Sequence, residues 1–259
     1  MLKVGIIGTG VMGAGHARFI KESVPEAVVV ALSDIDEGRL DSLSKELGTV
    51  KFTTINPADL MNYPDVEVII IASPDPLHVE HLQLAIATQK PTLCEKPIAT
   101  NLEDARMIAK EIKAYENEVG KHMIHFGFMR RFDPAYREVK RLIESGDYGQ
   151  PTFFRTITRN VQSTGATTPG LYTNIAIHDF DIFRWLFKDE WVSVQSHYPR
   201  KSRLSPDNVA DPLVITAYMK SGIMMVADIV AFNNYGYDVR TEIVCEKGSI
   251  EIGIHGDVI

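Results

Sequence analysis

Three glycines spaced Gly8-x-Gly10-x-x-Gly13 stand directly after an apolar β-branched run, Val4 to Ile7, and directly before a helical pattern that begins at Met12. A strand that turns through glycine into a helix delivers a helix N-terminus, with its unpaired N–H groups, to the turn, and such an end suits a phosphate. The spacing gives each glycine a task. Gly8 makes the tight turn, Gly10 lets backbone approach a pyrophosphate, and Gly13 lets helix and strand pack closely, with Val11 and Met12 completing the loop. The second expected strand ends in Leu32-Ser33-Asp34, and Asp34 lies 21 residues beyond Gly13. A carboxylate there accepts hydrogen bonds from ribose hydroxyls and repels a 2'-phosphate, a repulsion that Arg39 in the following helix could offset; the loop and Asp34 together favour NAD over NADP as cofactor.

The rest of the first half is consistent with this start. Val28 to Leu32, Val68 to Ala72, Thr92 to Cys94 and His122 to His125 are further short apolar runs, interleaved with helical patterns at Glu37 to Leu47, Leu77 to Gln89 and Leu102 to Val119. Continuous apolar strands alternating with helices predict a parallel, doubly wound Rossmann sheet buried on both faces. After a helix at Pro134 to Glu144 the texture changes. Leu213 to Met219 and Ile223 to Phe232 flank Lys220-Ser221-Gly222, and Val239 to Cys245 is followed, across Glu246-Lys247-Gly248, by Ser249 to Ile252. These are hairpin signals, interrupted by one helical pattern at Thr173 to Phe187. The expectation is an α/β chain with an NAD-binding Rossmann domain over 1–125. A substrate-binding and oligomerisation α+β domain on a mainly antiparallel open sheet then covers 126–259. The end at Ile259, just after a strand and with no closing helix, suggests that this second domain is cut short.

Composition narrows the partners. A formal charge of −7 and a sequence pI near 5.6 provide no basic footprint for nucleic acid or an anionic membrane. No stretch approaches the roughly 20 apolar residues of a membrane span, and the apolar start is too short for a signal peptide, so a cytoplasmic protein is expected. Cys94 and Cys245 have no neighbours at ligand spacing, which argues for two buried thiols and against a disulfide framework or a metal site.

Chemistry concentrates in two places. Glu95-Lys96-Pro97 follows the strand Thr92 to Cys94, and in open parallel sheets ligands bind beyond the carboxyl ends of the strands. In the second half, Asn174, His178, Asp181 and Trp185 fall on one stripe of an otherwise apolar helix, where polar groups need partners. Taken with the glycine loop and Ser73-Pro74-Asp75-Pro76-Leu77-His78, these segments resemble the glucose-fructose oxidoreductase and inositol dehydrogenase family over essentially the whole chain. Gly127-Phe128-Met129-Arg130-Arg131-Phe132-Asp133 and Tyr235-Gly236-Tyr237-Asp238 look most like its inositol dehydrogenase branch.

The resemblance implies that Lys96 contacts substrate and nicotinamide, that His178 takes the hydroxyl proton, and that the Lys96–Pro97 peptide bond is cis. It places Ser73, His78 and Glu95 with the cofactor and Arg130, Asp181 and Tyr235 with a polyol or sugar substrate. It also implies a homo-oligomer joined through the second sheet, with Tyr198, Tyr218 and Phe232 as candidate contacts. Asn174 departs from the aspartate usual in that branch; it can hydrogen-bond a substrate hydroxyl but cannot supply negative charge to an imidazolium. Two other readings stand beside this one. Tyr136-x-x-x-Lys140 has the tyrosine–lysine spacing of short-chain dehydrogenases, although on a helix it reads as a solvent-facing pair. A regulatory or sensory protein could keep the nucleotide pocket without turnover.

Overall fold

The apolar runs of the first half lie side by side because β-branched residues favour extended backbone and, here, both faces have helices to bury them. A computed structural model describes residues 1–161 and 166–253; the last residues of the expected second domain, 254–259, lie outside the described residues. The chain divides into two units, Met1–Gly127 and Phe128–Ile259.

In the first unit the elements run β1 (Leu2–Ile7), α1 (Val11–Ser23), β2 (Ala27–Ser33), α2 (Glu37–Leu47), β3 (Phe52–Thr54), α3 (Pro57–Asn62), β4 (Val68–Ile71), α4 (His78–Thr88), β5 (Thr92–Cys94), α5 (Leu102–Val119) and β6 (Ile124–Phe126). The sheet order is β3-β2-β1-β4-β5-β6, and every pair is parallel. This is the Rossmann order, which reverses direction between β1 and β4. Strand alternation sorts the core into two layers. Ile6, Val29 and Leu32 pack on α1 and α2 through Ala17, Ile20, Leu40 and Leu43. Ile7, Val30 and Ile71 pack on the other face with Leu60, Leu82, Ile108 and Ile112. Side chains cap the helix starts: Asp36 accepts from the Arg39 amide, Asn56 from Ala58 and Asn101 from Asp104. The pair β3 and α3 left no clear mark in the sequence. An edge strand of three residues, Phe52-Thr53-Thr54, has no apolar period to read.

The second unit contains α6 (Pro134–Ser145), β7 (Pro151–Val161), a single turn α7 (Thr168–Gly170), a π-helical segment at Leu171–Ala176, and α8 (Ile177–Phe187). The strands β8 (Trp191–His197), β9 (Leu213–Met219), β10 (Met224–Asn233), β11 (Asp238–Cys245) and β12 (Gly248–Ile252) follow. The sheet order is β12-β11-β7-β10-β9-β8. Only β7 and β10 are parallel; the hairpins β9–β10 and β11–β12 form across the turns expected from sequence. One face carries Phe154, Ile215, Met225, Ile229 and Ile243, buried against Leu171, Ile182, Phe183 and Leu186. Phe154 stacks on Phe183 with ring centroids 3.6 Å apart.

Three expectations need correction. The helix expected over Thr173 to Phe187 is two segments, since its first turns take wider i→i+5 bonding. Phe232 is buried, not exposed, because burial stops alternating at the end of β10, where Ala231, Phe232 and Asn233 are all enclosed. Tyr136 does not face solvent. Its hydroxyl lies 2.9 Å from Thr241 Oγ1 in the core, and Lys140 Nζ donates to the Trp185 carbonyl at 2.7 Å, so both residues of the short-chain pattern are held by packing.

Candidate active site

In the first unit the candidate site is built where the strand order reverses. Gly8 has φ +86°, and a Cβ there would lie 2.4 Å from the Ala72 carbonyl oxygen at the end of β4. Only glycine fits. A Cβ on Gly13 would lie 1.8 Å from the Gly8 oxygen, while one on Gly10 would meet nothing within 4 Å. Gly10 therefore faces open space at the start of α1, which has no side-chain cap and no acidic residue in its first turn. That end offers free amides and a positive dipole to an anion. Gly10, Val11 and Met12 form one wall of a cleft of about 500 Å³ whose other walls include Asp34, Ile35, Arg39, Ser73, Leu77 and His81. Val11 and Ile35 are about nine-tenths exposed, apolar surface suited to a flat heterocycle. An open glycine cradle beside an uncapped helix and a carboxylate fits a dinucleotide.

Asp34 is held before any ligand arrives. Its Oδ2 accepts from the Thr9 amide at 2.6 Å and the Thr9 hydroxyl at 2.8 Å, and its Oδ1 accepts from the Asp36 amide at 2.9 Å. Burial pushes its pKa up, but these hydrogen bonds, with Arg39 nearby, outweigh burial and hold the carboxyl below its ordinary value. Ser73, expected to meet the cofactor, lines the cleft and hydrogen-bonds His81 Nδ1 at 2.9 Å. Burial lowers the pKa of His81 and favours its neutral form. His78 is fully buried, with Nδ1 2.6 Å from the Pro97 carbonyl and Nε2 2.9 Å from the Ser73 carbonyl. It ties the two strand-end loops together.

Glu95 and Lys96 follow β5, and the Lys96–Pro97 peptide is cis. Glu95 is buried, with Oε1 2.7 Å from His16 Nε2 on α1. Burial draws the Lys96 pKa down, opposed by the charges of Asp75 and Glu95, so the ammonium gives up its proton more readily than a solvated lysine.

In the second unit the candidate residues lie on α8 and the π-helical segment before it. Asn174 is exposed within the π segment, and His178 and Asp181 are buried on α8. π segments recur at functional sites, and this one changes the phase between Asn174 and the helix that bears His178. Asp181 is gripped by both nitrogens of the Arg131 guanidinium edge. Arg130, expected as a polyol contact, is buried with its Nη1 2.5 Å from Asp179 Oδ1. Burial outweighs the pull of Arg130 and holds the Asp179 carboxyl above its ordinary pKa; burial also presses on the Arg130 guanidinium, but the charge of Asp179 prevails and raises its pKa. The guanidinium gives Asp179 a charge-assisted hydrogen bond that offsets part of the cost of its burial. Tyr235 is exposed, its amide and that of Gly236 donating to Asn233 Oδ1 at 2.9 and 3.0 Å.

The sequence reading did not single out His16, and it gave no role of their own to Thr9, Arg131 and Asp179, which stand inside its motifs. Thr9 sits inside the glycine loop, where a short hydroxyl facing Asp34 was the available signal. Each of the others acts through a partner far away in sequence or hidden in a helix read mainly for its apolar face. Among the described residues no group of three or more His, Cys, Asp or Glu is placed to hold a metal, and no helix is long and apolar enough to cross a membrane.

Comparison with known proteins gives one family throughout. Residues 2–122 match the oxidoreductase family with an NAD-binding Rossmann fold, and residues 136–251 match the GFO/IDH/MocA C-terminal domain. Inositol 2-dehydrogenase 1 of Saccharopolyspora erythraea is 35% identical over 98% of this chain and 74% of its own. An inositol 2-dehydrogenase of Klebsiella pneumoniae is 35% identical over 95% of this chain and 72% of its own. The crystal structure of myo-inositol dehydrogenase from Lactobacillus casei, in complex with NAD(H) and myo-inositol, superposes with a TM-score of 0.91 at 30% identity, covering 99% of this chain and 75% of that one.

Proposed function

Since the chain belongs to the GFO/IDH/MocA family of NAD-binding oxidoreductases, we propose that it is an NAD-dependent dehydrogenase that oxidises a secondary alcohol of a cyclic polyol of the inositol class. The observation that carries this reading is the dinucleotide cleft, with its glycine cradle and pre-oriented Asp34, in a chain more than a third identical to inositol 2-dehydrogenases along nearly its whole length.

When bound, NAD supplies a hydride acceptor at its nicotinamide. The protein's own part is proton handling and orientation. His178 removes the proton from the reacting hydroxyl as the carbinol hydrogen departs with its electron pair, and the C–O bond becomes a carbonyl. Lys96, its ammonium desolvated by burial, holds and polarises that oxygen. Asn174 hydrogen-bonds a substrate hydroxyl without adding charge. Arg130 and Asp181 support the substrate region through their pairs with Asp179 and Arg131, and Tyr235 offers an exposed hydroxyl. We also propose that the protein is a homo-oligomer through its second sheet, with the exposed Tyr198 and Tyr218 at the contact; a monomeric mass by light scattering at working concentration would refute this.

The test is NADH formation with NAD and a panel of inositols and aldoses. Turnover with a cyclic polyol is expected, and His178→Ala should lose about 100-fold or more in kcat/KM, the usual worth of a positioned base. NAD binding with no turnover on any substrate would overturn the assignment in favour of a sensor.

A further inference from the structure

Glu95 is the acidic neighbour of Lys96 and is only 8% exposed. A carboxylate next in sequence to a lysine, in a partly desolvated site, is a natural competitor for its ammonium, because attraction between opposite charges strengthens as water is excluded. Two separate parts of the first unit restrain this one. His16 on α1 places its Nε2 2.7 Å from Glu95 Oε1. Gly127, after β6, packs so closely that a Cβ there would lie 2.7 Å from Glu95 Oε2 and 3.0 Å from its carboxyl carbon. The Gly127 amide donates to the Cys94 carbonyl at 2.9 Å, joining the ends of β5 and β6 beneath the carboxylate. Burial pushes the Glu95 pKa up, but the hydrogen bond and charge of His16, with the Lys96 amide and ammonium, outweigh it and keep Glu95 ionised. A charged group so enclosed is costly unless its partner is present.

We propose that His16 is a positioning residue for the hydride-transfer reaction: by holding the Glu95 carboxylate against Gly127, it stops that carboxylate from competing for the Lys96 ammonium and fixes the strand end that carries Lys96. His16 belongs to α1, the helix that follows the glycine loop, so the contact joins that helix to the end of β5. No bond is made or broken in this role. The inference rests on Lys96 being a catalytic group.

The experiment compares His16→Ala, His16→Gln, the double variant His16→Ala/Glu95→Gln, and Lys96→Met in the full chain. It measures kcat, KM for the polyol, NAD affinity and Tm. His16→Ala should lose about tenfold or more in kcat, as expected for a misplaced catalytic group, with NAD affinity unchanged. His16→Gln restores an N–H toward Glu95 and should recover most of the rate. The double variant should recover rate as well, because a neutral amide does not capture an ammonium. Wild-type kcat in His16→Ala would overturn the proposal. So would a loss of rate together with Tm and NAD affinity that neither His16→Gln nor Glu95→Gln repairs, since that pattern belongs to a residue needed only for folding. Near-wild-type turnover in Lys96→Met would remove the catalytic assignment of Lys96, and with it the group that His16 positions; inactive Lys96→Met beside fully active His16→Ala would overturn the role of His16 alone.

Discussion

A methyl group added to Gly10 and one added to Gly13 meet opposite surroundings, open space in one case and the Gly8 carbonyl in the other. Gly10→Ala should therefore keep a Tm near that of the parent while weakening NAD binding by about tenfold or more, roughly 1.4 kcal/mol. Gly13→Ala should lower Tm and binding together; equal Tm values by calorimetry would contradict this. Thr9 offers a second test at the same scale. Its amide and hydroxyl help hold the Asp34 carboxyl below its ordinary pKa. A carboxyl lowered in the folded state adds stability that is present above its unfolded pKa and is lost as the pH falls through the folded value, below the ordinary carboxylate range. Thr9→Val removes one of these bonds, so the Asp34 titration followed by carboxyl NMR should move upward and the acid loss should begin at higher pH; an unmoved titration would mean that the hydroxyl contributes nothing. The task of each glycine was legible from spacing, because those constraints are local. The partners Thr9–Asp34 and His16–Glu95 were not, because they join residues 25 and 79 positions apart, and periodicity does not register such contacts.

At the scale of elements, α8 is fastened to its surroundings by the stack of Phe183 on Phe154 and by the Arg130–Asp179 pair. Removing one partner of a buried pair strands the other charge, so Arg130→Met should cost about 3–5 kcal/mol in urea unfolding, and Arg130→Met/Asp179→Leu should recover much of that. A single variant as stable as the parent would show that the pair is not a structural tie. Helix α8 was legible from its apolar residues, and its boundary was not. An apolar period reports which face is buried but not whether each amide reaches back four residues or five, so the π segment that carries Asn174 looked like more α-helix. The strands of both sheets were visible where turns such as Lys220-Ser221-Gly222 punctuated them; β3 was not read because it is short, β8 because it is mostly exposed, and β7 because its buried face carries Thr156 and Thr158 in place of an apolar period.

For the whole molecule, the two units bury separate cores, one pair of layers around β1 to β6 and one around β7 to β12. Both tryptophans, Trp185 and Trp191, belong to the second, so their fluorescence reports on that unit. NAD at about 100 times its Kd should stabilise the first unit by about 2.7 kcal/mol. The shift should appear in calorimetry and be smaller in the tryptophan signal; identical shifts would show that the two units unfold as one. The Rossmann half was readable as a whole because one loop dictates its plan, whereas the order of the second sheet depends on the parallel pairing of β7 with β10, which no local pattern announces.

Asp36, Asn56, Asn101 and Asp133 finish their own helices, while Gly10 gives α1 no side chain with which to do so. A nucleotide phosphate bound at Gly10 would take the place of a capping residue, and dialysis that strips the nucleotide would remove the cap as well. Preparations kept without NAD should exchange the amides of Val11 to Gly13 with deuterium fastest among the α1 amides, and a little added nucleotide would serve as a preservative before it serves as a reactant.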